Sequence, residues 1–147
     1  MSTHPMEVLF PNEFERASSL CAEYFYRYQR YDAHFSMALF YSHEPLDEAL
    51  FIDAIRESDK HLILQDNLIC VVFDMTSNDR GLKASENLLA LYEAKHFGKK
   101  FYASYVSMED FATKEAMRSQ LFSLLNYAIK ENKYNQITDG YYELEHV

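Results

Sequence analysis

Hydrophobic residues recur at helical spacing in four stretches of the chain. In the first, Phe14, Ala17 and Cys21 line up with Tyr24 and Tyr28. Residues three and four positions apart lie on one face of an α-helix, where they can pack against a core. The pattern predicts helices over about 12–31, 45–58 and 78–98, and a fourth from 111 or 113 to 130.

Shorter apolar runs between these helices predict β-strands. They cover about 34–41, the run ending at Gln65, 68–73 and 100–108. The run 68–73 is apolar almost without alternation, which is typical of a strand covered on both faces, whereas 100–108 alternates enough to be half-buried. Asp66 and Asn67 separate two of the runs and tolerate the positive φ of a two-residue hairpin turn.

The order of these elements predicts the fold class. A β-α-β-β-α-β order with a helix at each end is the ferredoxin-like plan, an α+β fold with an antiparallel sheet and flanking helices. The length of 147 residues fits a single domain spanning 1–147. Residues 1–10 are predicted to be a loose lead, and Asp139-Gly140 predicts a small C-terminal hairpin.

Composition narrows the class of partner. The chain has 14 basic and 23 acidic residues, a net charge of −9, so it repels a nucleic-acid backbone. No apolar run of 18 residues predicts a membrane helix, and no signal peptide is seen. Cys21 and Cys70 lack Cys-x-x-Cys spacing. We expect a cytoplasmic protein that binds neither nucleic acid nor membrane.

The hairpin region resembles the core of the diguanylate cyclase (GGDEF) domain. In that family an Arg-x-x-Asp pair precedes, by five residues, a Gly-Gly-Asp-Glu-Phe turn. Arg56 and Asp59 stand at the pair. The signature positions hold Gln65, Asp66, Asn67, Leu68 and Ile69. Weaker similarities at 9–15, 28–31, 104–106 and 125–137 extend the resemblance over most of the chain, and it implies a degenerate domain with the nucleotidyl-cyclase-like fold.

The resemblance also implies that parts of the cyclase site are lost. The family binds magnesium through an aspartate at the end of its first strand and a second acidic residue two positions on. The corresponding residues here are Tyr41 and His43. Only 14 residues lie between Tyr41 and Arg56. The resemblance therefore implies that the helix that holds guanine in the family is deleted here. We therefore expect no catalytic residues, no metal site, no cofactor and no cyclase activity.

The Arg56/Asp59 pair has two interpretations. In the family it forms an inhibitory site for cyclic di-GMP, which makes these residues the candidate ligand-binding residues. The structural alternative places Arg56 in the last turn of helix two, near its carbonyls, with Asp59 capping the exit loop. Asp53, Glu57 and Asp59 outnumber Arg56 and Lys60 nearby, a setting that disfavours a ligand with two phosphates.

Other residues predict no further chemistry. No pair of histidines has metal-ligand spacing, and no Gly-x-Ser-x-Gly motif positions a nucleophile. The histidines are His4, His34, His43, His61, His96 and His146. The aromatic stripe of helix one, Tyr24, Phe25, Tyr28 and Tyr31, fits core packing and also a homodimer contact.

Three functional hypotheses follow from these observations. The first is a catalytically inactive GGDEF-like signalling domain that binds a protein partner, a second copy of itself or cyclic di-GMP. The second is an enzyme whose nucleotide or small-molecule site has moved elsewhere on the same fold. The third is a purely structural or assembly module.

Overall fold

The computed structural model describes residues 11–139, so the predicted lead 1–10 and the C-terminal hairpin beyond Asp139 lie outside the described residues. Strands and helices follow in the predicted order. They are α1 (Pro11–Tyr31), β1 (Phe35–Ser42), α2 (Glu48–Ala54), β2 (Lys60–Gln65), β3 (Leu68–Asp74), α3 (Asn78–Lys95), β4 (Phe101–Ser107), a 3₁₀ turn (Met108–Asp110), α4 (Lys114–Lys130) and β5 (Ile137–Asp139).

The five strands form one mixed sheet in the order β2-β3-β1-β4-β5. All neighbouring strands are antiparallel except β4 and β5, which run parallel. The first four strands have the βαββαβ arrangement, which confirms the predicted ferredoxin-like α+β fold. β5 adds a short edge strand that pairs with β4 at Ala103, Ser104 and Tyr105.

Helices cover both faces of the sheet and create two cores. α1 and α4 pack on one face, where Phe14 and Cys21 meet Phe122 and Leu125. α2 and α3 pack on the other face through Phe51, Leu88, Leu89 and Tyr92. β1 serves both cores, because successive side chains of a strand point to opposite faces. Its Phe35, Met37 and Leu39 enter the first core, and Ala38 and Phe40 enter the second.

The prediction of a buried β3 is confirmed, because all seven of its residues are buried. The prediction that strand four is half-buried was wrong, since every residue of β4 is buried as well. β4 lies between β1 and β5 with a helical layer on each face, so the polar positions in its sequence, such as Ser104, face protein. The Ser104 hydroxyl donates to the carbonyl of Leu121 on α4 at 2.8 Å.

Helix two is shorter than predicted. The sequence predicted 45–58, whereas α2 begins at Glu48 and ends at Ala54. At its start, the Leu46 amide donates to the carbonyl of Asp66 in the hairpin turn at 2.8 Å. After its end, the Arg56 amide donates to the side chain of Asp59 at 3.0 Å. Both contacts remove residues from the helical hydrogen-bond pattern.

The hairpin between β2 and β3 forms at Asp66-Asn67 as predicted, but the predicted positive φ was wrong. Neither residue has a positive φ. The register of β2 with β3 shifts between Ile63 and Gln65, so the pairing is irregular next to the turn. On the neighbouring α1, Arg16 donates to the carbonyls of Ile63 at 2.8 Å and Leu64 at 3.1 Å, which ties this helix to the edge strand.

Gly81 allows α3 to approach the sheet closely. A Cβ at this position would collide with the side chains of Ser36 on β1 and Tyr105 on β4. The Tyr105 hydroxyl donates to the carbonyl of Asn78, the first residue of α3, at 2.9 Å. Burial raises the pKa of this tyrosine above its ordinary value. Gly81 therefore fixes the depth of the helix on the second face of the sheet.

Candidate functional site

The structure separates the predicted site residues into two groups at opposite ends of β2. The signature positions 65–69 form the hairpin tip, and Arg56 and Asp59 precede the other end of the strand. β2 has six residues, which at about 3.3 Å per residue separates the groups by roughly 20 Å. The sequence placed both groups on one hairpin, and the structure shows that they form two sites.

Arg56 and Asp59 bind each other side by side. The Arg56 guanidinium donates from Nη2 to Asp59 Oδ1 at 2.8 Å and from Nε to Oδ2 at 3.2 Å. The Asp59 side chain is 3% exposed, whereas that of Arg56 is 56% exposed. This bidentate geometry is the strongest form of an arginine–carboxylate pair. Hydrogen bonding to Asp59 raises the pKa of Arg56 further above its usual value.

The same pair also binds Asp74 and Thr76, and we call these four residues together the Arg56–Asp59 clasp. Arg56 Nη2 also donates to the carbonyl of Asp74 at 2.7 Å and to Thr76 Oγ1 at 2.6 Å. In return, the amide of Asp74 donates to Asp59 Oδ1 at 3.2 Å. The clasp therefore holds the loop between α2 and β2 against the end of β3.

The structural alternative for Arg56 was wrong in its position. α2 ends at Ala54 and is capped by Ile55, so Arg56 lies beyond the last turn of the helix. Its guanidinium reaches forward to Asp59, Asp74 and Thr76 instead of back to helix carbonyls. The loop turns at Arg56, where the Asp59 amide donates to the Arg56 carbonyl at 3.0 Å. This turn directs the guanidinium toward Asp59, Asp74 and Thr76.

Sequence reasoning missed the residues that complete the clasp. The Asp74 carboxylate, which is largely buried, forms an ion pair with Arg27 of α1 at 3.1 Å. Arg27 in turn lies over the ring of Tyr24, 5.0 Å from its centroid. An acidic residue directly after the apolar run 68–73 was the available signal, because a carboxylate at the end of a buried strand requires a partner.

The hairpin tip keeps its backbone close to the end of β1. The amide of Ser42 donates to the carbonyl of Asn67 at 3.1 Å. Asp66 is exposed, whereas Leu68 and Ile69 are buried in β3. Leu68 pairs with Tyr41 in the sheet, so the signature positions and the end of β1 lie together.

Aromatic rings occupy the end of β1, where the resemblance places acidic metal ligands. Tyr41 contacts His43, with ring centroids 5.4 Å apart, and His43 contacts Tyr102 of β4 at 5.8 Å. The Tyr102 hydroxyl donates to Asn132 Oδ1 at 2.7 Å. Burial, followed by the proximity of Tyr102, raises the pKa of Tyr41. We call Tyr41, His43 and Tyr102 the aromatic cluster.

Magnesium does not fit the aromatic cluster. Mg²⁺ takes octahedral oxygen ligands, usually carboxylates and water. A protonated phenol and an imidazole replace the two acidic positions. Among residues 11–139, no group of three or more histidine, cysteine, aspartate or glutamate side chains is arranged to hold a metal ion.

Four of the six histidines lie within the described residues, at separate places. His34 lies between Asp32 and Glu109, at 3.5 Å from each. His61 contacts Glu48 at 3.0 Å, and His96 contacts Asp47 at 3.0 Å. His43 belongs to the aromatic cluster. His4 and His146 lie outside the described residues.

The Asp47 contact joins α2 to α3 in a way that the sequence did not predict. The Asp47 carboxylate accepts from His96 and from Lys95 at 3.1 Å. The Asp47 amide donates to the hydroxyl of Tyr92, whose ring stacks on His96 at 4.6 Å. The hydrogen bond from His96 is the largest of several effects that lower the pKa of Asp47.

The aromatic stripe of α1 divides between core and surface. Tyr24 and Phe25 are buried against Phe35 of β1, and Tyr28 is partly buried beside them. Tyr31 is 69% exposed. Core packing therefore explains most of the stripe, and a homodimer contact through α1 stays a prediction. Within the described part of the chain, no helix is both long enough and apolar enough to cross a membrane.

Solved GGDEF domains share the fold of this chain. A microbial GGDEF domain with a novel mode of interaction with bis-(3′,5′)-cyclic di-GMP matches with a TM-score of 0.67 and 9% sequence identity, over 86% of this chain and 92% of its own. The GGDEF domain of DgcB from Caulobacter crescentus, in complex with cyclic di-GMP, matches with a TM-score of 0.63 and 6% identity, over 85% of this chain and 86% of its own. The coiled coil and GGDEF domain of DgcB match with a TM-score of 0.55 and 10% identity, over 89% and 78%.

These matches establish the fold of the chain as GGDEF-like, which confirms the resemblance seen in the sequence. No protein-family profile matches the sequence. No curated protein matches it either. The similarity is therefore one of fold, at a sequence identity of 6–10%.

Proposed function

We propose that this chain is a GGDEF-like signalling domain that acts by binding a protein partner and does not synthesise cyclic di-GMP. The observation that carries the proposal is the aromatic cluster of Tyr41, His43 and Tyr102. Phosphoryl transfer is mainly positioning and charge neutralisation, which requires metal-binding carboxylates beside the phosphates. Three rings in mutual contact at the end of β1 supply neither carboxylates nor an open backbone.

The clasp supports a structural role for the Arg-x-x-Asp pair. Recognition of guanine requires the two-donor edge of an arginine to be free for the base. Here the Nε and Nη2 donors of Arg56 are directed at Asp59, and Nη2 also binds the Asp74 carbonyl. A nucleotide would have to displace Asp59, which is 3% exposed and stands among acidic neighbours.

Cyclic di-GMP at Arg56 is the second candidate, since Arg56 is 56% exposed and the GGDEF domain of DgcB, which shares this fold, is solved in complex with cyclic di-GMP. A thermal-shift titration tests it. Ligand at about 100 times its dissociation constant stabilises a protein by about 2.7 kcal/mol, or roughly 5–11 °C here. We expect no shift. A shift of this size in the wild type that is absent in Arg56→Ala would establish the ligand site.

Incubation with GTP and Mg²⁺ tests the absence of synthesis. We expect no cyclic di-GMP above a protein-free blank. Turnover of GTP to another product would favour the hypothesis of an enzyme with a relocated site. Formation of cyclic di-GMP itself would overturn the proposal.

A further inference from the structure

Two neighbouring segments hold most of the lysines of the chain, and we call them the lysine loops. They are 95–100, which leads from α3 to β4, and 130–136, which leads from α4 to β5. Their five lysines are Lys95, Lys99, Lys100, Lys130 and Lys133. Glu131 is the one acidic residue in the two segments, so they carry a charge of +4 and the rest of the chain carries −13. In an acidic protein, a local positive charge favours contact with an acidic partner.

Asn135 holds the two loops together as one surface. Its amide donates to the carbonyl of Phe101 at 2.7 Å, and its side-chain oxygen accepts from the Phe101 amide at 2.9 Å. Its side-chain nitrogen donates to the carbonyl of Lys99 at 3.2 Å. Across the same junction, the ammonium of Lys100 lies over the ring of Tyr134, 4.7 Å from its centroid. The surface is therefore formed before a partner binds, which lowers the ordering cost of binding.

Phe97 is an exposed aromatic anchor in the first of these loops. Its side chain is 89% exposed, the highest value among the large hydrophobic residues in the described range 11–139. Gly98, which follows it with a φ of 88°, provides a left-handed turn that other residues rarely adopt. Tyr134 in the second loop is 41% exposed. Because Phe97 packs so little in this fold, burial of its ring can stabilise a complex, and aromatic residues are enriched at protein interfaces.

Two carboxylates already contact the lysine loops, and the ion pairs they form are exposed. Glu44 lies 2.8 Å from Lys99, with side chains 61% and 47% exposed. Asp47 lies 3.1 Å from Lys95, whose side chain is 59% exposed. Exposed ion pairs contribute little to stability, so the carboxylates of a partner can replace Glu44 at low cost. With both of these acids counted, the surface still has more lysines than carboxylates.

We propose that the lysine loops dock an acidic protein segment whose apolar side chain packs on Phe97. This inference rests on the proposed function, because it gives the chemistry of the protein partner. An anionic membrane suits the surface less well. A flat bilayer would also meet Glu44 and Asp47 beside the loops, whereas a narrow segment can contact the lysines and the Phe97 ring alone.

Selection from a phage-displayed library of random peptides, with the wild-type chain immobilised, tests the chemistry of the partner. We expect the enriched peptides to have an excess of Asp and Glu beside an aromatic or aliphatic residue. Synthetic copies should bind in fluorescence anisotropy with dissociation constants of roughly 1–100 µM. Binding should weaken at least about tenfold between about 0.1 and 1 M salt, because the Debye length falls from about 10 to 3 Å.

Substitutions locate the binding site on the chain. Phe97→Ser and Lys100→Glu should each raise the dissociation constant at least about tenfold. Ile52→Ser is the matched apolar control, since Ile52 is 50% exposed on α2. Lys83→Glu, at an exposed position on α3, is the matched control for charge. Both controls should bind within about twofold of the wild type. All four variants should unfold at the urea concentration of the wild type, because each altered side chain is exposed.

Several results would overturn the proposal. The peptides could fail to enrich, show no acidic excess, or bind Phe97→Ser and Lys100→Glu as tightly as the wild type. Cosedimentation of the wild type, but not Phe97→Ser, with phosphatidylserine vesicles would assign the surface to a membrane instead. Salt-sensitive self-association that is lost in the same variant would assign it to a second copy. Synthesis of cyclic di-GMP is measured separately with GTP, so failure of this docking surface and failure of the proposed function are distinguishable.

Discussion

Truncation of Asp59 to alanine should destabilise the fold strongly, because the clasp holds the loop between α2 and β2 against the end of β3. The carboxylate accepts from the amide, Nε and Nη2 of Arg56 and from the amide of Asp74. Hydrogen bonds to charged groups contribute about 1.5–3 kcal/mol each when buried. Water replaces most of what Arg56 loses, since its side chain is 56% exposed. We therefore expect a loss of about 2–4 kcal/mol, nearly all of it from the buried side of the clasp.

Urea unfolding followed by tyrosine fluorescence measures this loss, since the chain has 12 tyrosines and no tryptophan. A loss of 3 kcal/mol corresponds to roughly 6–12 °C in the melting temperature of a domain this size. Arg56→Ala should cost less, about 1–2 kcal/mol, because Asp59 keeps the Asp74 amide and gains water. Glu57→Ala, on an exposed residue of the same loop, is the control and should change stability by less than about 0.5 kcal/mol.

A double-mutant cycle of Arg56→Ala and Asp59→Ala isolates the pair itself. Residues in direct contact show interaction energies of about 0.5–3 kcal/mol, and we expect about 1–2 here. If Asp59→Ala unfolds at the same urea concentration as the wild type, or if the cycle gives no coupling, the clasp does not stabilise the fold. The argument against a ligand at Arg56 would then lose its basis.

Three further changes test other parts of the structure. Gly81→Ala should destabilise by about 1–3 kcal/mol in urea unfolding, because its Cβ collides with Ser36; an unchanged midpoint would contradict this packing. The lowered pKa of Asp47 stabilises the fold above the ordinary value of 3.8, and this stabilisation is lost as pH falls through the lowered pKa. Asp47→Asn should therefore be less stable than the wild type at pH 7 and equal to it near pH 2; an equal deficit at both pH values would contradict this. Burial raises the pKa of Cys21 to about 12, so Ellman's reagent should modify it only after unfolding, and rapid reaction of the native protein would contradict its burial.

Much of the fold was predictable, because the spacing of hydrophobic residues along the chain indicates whether a segment is a helix or a strand. α1 was predicted over 12–31 and extends from Pro11 to Tyr31, and β3 was predicted as a strand covered on both faces. Two failures have a common cause. The ends of α2 depend on contacts with the hairpin turn and with Asp59, and the burial of β4 depends on β5 and two helical layers. Residues distant in sequence set both properties.

The candidate site was predictable in its composition and not in its geometry. The spacing of Arg56 and Asp59 identified a pair, and the structure shows that these two side chains bind each other. The other two residues of the clasp, Asp74 and Thr76, lie 18 and 20 residues after Arg56 in the sequence. Only the pairing of β2 with β3 brings them beside Arg56. Tyr41 and His43 were identified as departures from acidic ligands, but their contact with Tyr102 depends on the register of β1 with β4.

Incubation with GTP and Mg²⁺, with mass-spectrometric detection of cyclic di-GMP, tests the central claim most directly. An active diguanylate cyclase under the same conditions serves as the positive control. We predict no product from the wild type at any chain concentration, because Tyr41 and His43 stand where the resemblance places acidic metal ligands. Product that increases with chain concentration and depends on Mg²⁺ would contradict the account.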